Sequence, residues 1–181
     1  MKTWMAALAI ALVGIAPAAW PQTHQPYAGM QARPVKALSD QQIADLRAGR
    51  GMGLALAAEL NGYPGPMHVL ELAAPLGLSD DQRAKVAEMF DAMKREAVPL
   101  GERLIAAETA LDRQFADRTI TASSLGEATR NIALLQGELR LAHLKYHLAT
   151  LELLTRQQAA QYATLRGYNG ARHTPGEHGR H

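Results

Sequence analysis

The sequence predicts an all-α fold: one long antiparallel helical hairpin with short flanking helices. Three observations carry that prediction. Apolar residues recur at helical spacing over two long stretches separated by a short break. Aromatic residues make up only 5% of the chain while Ala and Leu abound, a balance that favours helices over a β-sandwich. One pattern, Leu-[Ser/Thr]-x-x-Gln, occurs at 38–42, 78–82 and 154–158. Each copy has the form of a capping box, in which Ser or Thr accepts from an orphan backbone N–H and Gln three residues on bonds back to the N-cap N–H.

Taken in chain order, residues 1–18 read as an export signal. Lys2 gives the positive start, 5–15 is an uncharged apolar run, and Ala16-Pro17-Ala18 is a small-x-small cleavage site. The run is too short for an ordinary membrane span, which needs about 20 apolar residues. Cleavage after Ala18 leaves 163 residues for the bacterial periplasm, enough for one domain. Residues 19–37 lack periodicity and are expected to be a flexible N-terminus. The helical domain is expected over 38–168. The tail, 169–181, carries His173, His178 and His181 among Gly, Pro and Arg and is expected to be disordered, with weak metal capture as one use of its histidines.

Within the domain, the first box opens a short helix over about 40–48, and Arg50-Gly51-Met52-Gly53 interrupts it. A short segment over 54–60 and a firm turn at 61–66 follow, with Pro66 suited to the first position of the next helix. The second box opens the longest helix, 80 to about 116. Val86, Met93, Leu100 and Ala107 form one seam register, and Phe90, Ala97, Leu104 and Leu111 the other, with a kink expected at Pro99. The partner helix, about 122–153, answers with Leu125, Ile132, Leu139, Tyr146 and Leu153 beside Ala128, Leu135, Ala142 and Ala149. The third box opens a final helix over about 156–165. Leu134, Leu141, Leu144, Leu148 and Leu151 widen the apolar face of the second long helix beyond what one hairpin covers, so a homodimer forming a cradle is expected.

Composition excludes several function classes. No cysteine is present, which rules out disulfides, thiolate metal sites, cysteine nucleophiles and covalent haem attachment. Without Lys2 the chain has 18 basic residues against 17 acidic, so charge does not announce a nucleic-acid partner. No Gly-x-Ser-x-Gly, phosphate-binding Gly loop or His-Glu-x-x-His occurs, and Glu96 with Glu102 reads as solvated surface charge. A non-enzymatic protein without an organic cofactor is expected.

The strongest chemical signal is His143-Leu144-Lys145-Tyr146-His147. Spacing i, i+4 sets both imidazoles on one helix face, within reach of one divalent metal ion, at the edge of the apolar seam. Two histidines do not complete a site. His68 with Glu71 at i, i+3 on the short helix, or Met89 and Met93 on the facing long helix, are candidates to add ligands. Carboxylate favours zinc, nickel or cobalt, and thioether favours copper. The alternative reading is two imidazoles that only pack and hydrogen-bond at the seam. A b-type haem held by Met67 or Met89 with His143 or His147 is a further candidate, on residue type alone.

An export signal ahead of a Cys-free helical hairpin with repeated Leu-[Ser/Thr]-x-x-Gln boxes resembles the LTxxQ superfamily of periplasmic stress proteins. That group includes the Spy/CpxP-like chaperones, the zinc resistance-associated protein and CnrX-like heavy-metal sensors. The resemblance covers about 78–168 and is strongest at 78–82 and 154–158. It implies a curved, dimeric helical cradle that works without ATP. It also implies a concave face for unfolded envelope proteins, or a metal-sensing role reporting to a membrane-bound signalling partner. The pair His143 and His147 is similar to the helix-borne ligands of the sensors, but the early helices here hold only His68 with Glu71. The function expected is therefore an ATP-independent chaperone, possible metal response included, with a zinc, copper, nickel or cobalt sensor or buffer as the alternative.

Overall fold

The structure, a computed structural model, describes residues 26–168. Among them run α1 Asp40–Arg47, α2 Leu56–Glu59, α3 Pro66–Glu71, α4 Asp80–Ala116, α5 Ala122–Leu153 and α6 Arg156–Leu165, with no strand. Residues 1–18, where an export signal is expected, and the tail at 169–181 lie outside the described residues. α4 and α5 pack along each other as the long hairpin, α1 and α3 lie on α4, and α2 and α3 also reach α5. No described helix is long and apolar enough to cross a membrane.

All three Leu-[Ser/Thr]-x-x-Gln boxes cap helices. Ser39, Ser79 and Thr155 accept from the backbone N–H of Gln42, Gln82 and Gln158, whose side chains accept in return from the N-cap N–H. Each such cap is worth about 1 kcal/mol. Two of the boxes also do something that local spacing does not reveal. Gln82 Nε2 donates to Gln158 Oε1 at 2.9 Å and to Leu153 O at 3.1 Å, while Gln158 Nε2 donates to Gln82 Oε1 at 3.0 Å. The capping amides of α4 and α6 thereby fasten the open end of the hairpin. At the other end Arg118, at φ 55°, turns the chain after α4, and Thr121 with Ser124 caps α5.

Two apolar cores sit along the hairpin. Near the α4–α5 turn, Ala97, Leu104 and Ile105 meet Ile132, Leu135 and Leu139, with Leu46 of α1 and Val35 of the N-terminal segment added. Val35 arrives through a 3-10 turn at Met30–Ala32, and Lys36 beside it bonds Asp112 at 2.9 Å. At the open end, Val86, Leu154 and Tyr162 pack with Val69 and Leu76. α1 approaches α4 so closely at Gly101 that a Cβ there would lie 2.6 Å from the Leu46 carbonyl oxygen. α4 continues as helix through Pro99, which has no N–H to offer the carbonyl four residues back. Between the two cores the seam changes character: α5 buries His143, His147 and Thr150 there instead of aliphatic side chains.

Candidate functional site

His143 and His147 are 3% and 8% exposed, as deep as the core leucines on either side. The helical spacing does bring the two rings to one place. They line a cavity of about 460 Å³ together with Met93 of α4, and Met67 and His68 of α3. The segment between α1 and α3 covers it, contributing Met52 and Glu59. This segment is what buries the imidazoles, and its lack of periodicity hides that role in the sequence.

The cover is shaped by close backbone approaches. Gly65 lies so near His147 that a Cβ would sit 2.8 Å from ring atoms Cε1 and Nε2, so a larger residue would displace the ring. Arg50, at the start of the cover, is anchored by Asp45 at 2.7 Å. Met52 stands between Gly51 and Gly53 with φ 44°, a left-handed conformation that costs a residue with a Cβ about 1–2 kcal/mol. A glycine would adopt it freely. The methionine side chain is therefore placed at the cavity against a backbone preference.

The two imidazoles are held differently. His147 Nδ1 lies 2.7 Å from the Tyr63 carbonyl oxygen; a carbonyl only accepts, so Nδ1 is the nitrogen that carries a proton, which leaves Nε2 as the one able to ligate. His143 Nε2 is buried with no hydrogen-bond partner. Burial pushes the His143 pKa down, and the neighbouring His147 adds to that, so the ring favours its neutral form. A neutral imidazole is the form that ligates a metal.

Glu59 forms the polar wall. It is buried, accepts from the hydroxyls of Tyr162 and of Tyr168 (2.9 Å) and from the Gly65 N–H at 3.3 Å, and lies 3.6 Å from Arg166 Nε and 3.7 Å from His147 Nδ1. Burial, and then the bond to Glu59, push the Tyr162 phenol far above its ordinary range. One carboxylate thus ties the cover, α5 and the α6 end of the molecule together.

His68 lines the same cavity, with Nδ1 bonded to Glu71 at 2.9 Å; Glu71 reaches the site only through His68. Met93 lines the cavity, whereas Met89 sits against the Thr150 hydroxyl at 4.0 Å. Among the described residues no three His, Asp or Glu side chains gather closely enough to hold one ion. Sequence reasoning missed Glu59, an acid inside the short apolar run 54–60 that reads as surface. It also gave Met52 no role, although the Gly-Met-Gly setting was the available signal. No protein-family model, curated protein or solved structure matches the chain.

Proposed function

We propose that the chain is a non-enzymatic stress protein of the bacterial periplasm that binds a metal ion in the His143–His147 cavity, as a heavy-metal sensor or buffer. The observation that carries this reading is the unpartnered, buried Nε2 of His143 beside a second imidazole whose Nδ1–H is already fixed by a carbonyl. A buried polar atom without a partner costs about 1–3 kcal/mol, and a bound ion offsets that cost. A histidine oriented through its other nitrogen is the usual second-shell arrangement of a metal ligand. The apparent export signal at 1–18 supports the compartment. Titration calorimetry with zinc, copper, nickel and cobalt tests the proposal. The wild type is expected to bind one ion per chain in the cavity and His143→Ala/His147→Ala to lose it; equal binding by both proteins would remove this site.

A second reading, an ATP-independent chaperone for unfolded envelope proteins, is favoured by a separate observation. Leu134, Leu141 and Leu148 recur every seven residues on α5 and are 59%, 62% and 53% exposed. Such a row is a surface for a partner: a second copy, a client or a membrane-bound signalling protein. Aggregation of a heat-stressed client in the presence of the purified protein distinguishes this role. Protection that disappears in Leu141→Glu supports it, and unchanged aggregation at several-fold excess removes it.

A further inference from the structure

The cavity is rich in soft donors. Of the five methionines among the described residues, Met52, Met67 and Met93 all line it, beside His143 and His147. Met52, 41% exposed, is there with a left-handed backbone that a glycine would adopt without cost. Hard donors are committed elsewhere. The Glu59 carboxylate accepts from two tyrosine hydroxyls and a backbone N–H, and no three His, Asp or Glu side chains converge among the described residues. The nearby cations are also engaged: Arg50 on Asp45, and Lys94 over the Phe90 ring at 5.6 Å.

We infer that the ion taken by this cavity is copper(I), with ligands drawn from the imidazoles of His143 and His147 and the thioethers of Met52, Met67 and Met93. The inference rests on the metal reading above and names its ion. Thioether sulfur is neutral, polarisable and soft; it holds copper(I) well and zinc, nickel or cobalt poorly. With no cysteine in the chain, thioether is the soft donor this sequence has. Because a thioether does not titrate, proton competition at the site comes from the imidazoles alone.

The test is anaerobic titration of the chain from residue 19 onward with copper(I), in competition with a chromogenic copper(I) chelator. Zinc, nickel and cobalt are titrated in parallel, and the bound copper is read by X-ray absorption. Three variants accompany the wild type: Met52→Leu/Met67→Leu, Met93→Leu, and His173→Ala/His178→Ala/His181→Ala. Leucine nearly conserves methionine's volume, and helix content by circular dichroism confirms that each variant folds. The expected result is one copper(I) per chain with sulfur among its neighbours, at least tenfold weaker binding in a methionine variant, and no change in the tail variant. Copper(I) affinity unmoved by every methionine variant, or a shell of nitrogen and oxygen only, overturns the inference. Cavity binding of zinc, nickel or cobalt more tightly than copper(I) also overturns it, and leaves the metal reading standing. Absence of any bound metal removes both.

Discussion

Glu59 stands where the cover, α5 and the α6 end meet, and removing it exposes what each contributes. Glu59→Ala leaves the Tyr162 and Tyr168 hydroxyls and the Gly65 N–H without their acceptor, and Arg166 without its counter-ion. The expected loss is about 3 kcal/mol, measured as a lower urea midpoint. His143 gives the stability a pH dependence of known sign. Its folded pKa lies below the unfolded value of 6.5, so both states are neutral above that point and the ring then contributes no pH effect. As pH falls through 6.5 the unfolded chain takes up the proton first, and stability drops until the folded pKa is passed. Urea midpoints between pH 8 and about pH 5 are expected to fall more steeply for the wild type than for His143→Gln. An equal slope in the two proteins would assign the acid sensitivity to other groups. The histidine pair itself was legible, because i, i+4 spacing fixes a shared face whatever surrounds it. Its depth was not legible: a ring at the edge of a seam reads as half-solvated until an irregular segment from elsewhere in the chain is laid over it.

The helices were easier to read than the contacts between them. Caps, seams and the break at 117–121 are local signals, and α4, α5 and α6 begin where Ser79, Thr121 and Thr155 cap them. How α1 docks depends on Gly101, an interior helical glycine whose purpose is visible only with Leu46 O beside it. Gly101→Ala is expected to push α1 off α4 and cost about 1–3 kcal/mol, more than a helix-favouring substitution returns. Thermal unfolding checks this; an unchanged or higher midpoint would show that α1 yields without loss. Pro99 is the opposite case, exposed and inside a continuous helix. Pro99→Ala restores an N–H donor and is expected to stabilise α4 by about 1–3 kcal/mol in the same measurement. The surface contact of Glu96 with Lys145 and Tyr146 also spans α4 and α5. Lys145, then Tyr146, hold the Glu96 carboxyl below its ordinary range, yet an exposed pair of this kind adds little stability.

At the scale of the whole molecule, the exposed row on α5 makes the strongest demand. Leu134, Leu141 and Leu148 face solvent over two heptads, and a second copy laid along them would bury the stripe that the hairpin leaves open. The expected outcome in sedimentation velocity is a dimer for the wild type and a monomer for Leu141→Glu, with helix content unchanged. A monomeric wild type would leave the row to another partner. The fastening between Gln82 and Gln158 bears on the same whole. Both partners are uncharged amides, which take up no proton in mild acid and carry no net charge for dissolved ions to shield. The Lys36–Asp112 and Arg103–Glu138 contacts, by contrast, fade in brine. A concentrated salt solution therefore screens the pairs along the hairpin's flank, at little cost in stability, and leaves its mouth shut.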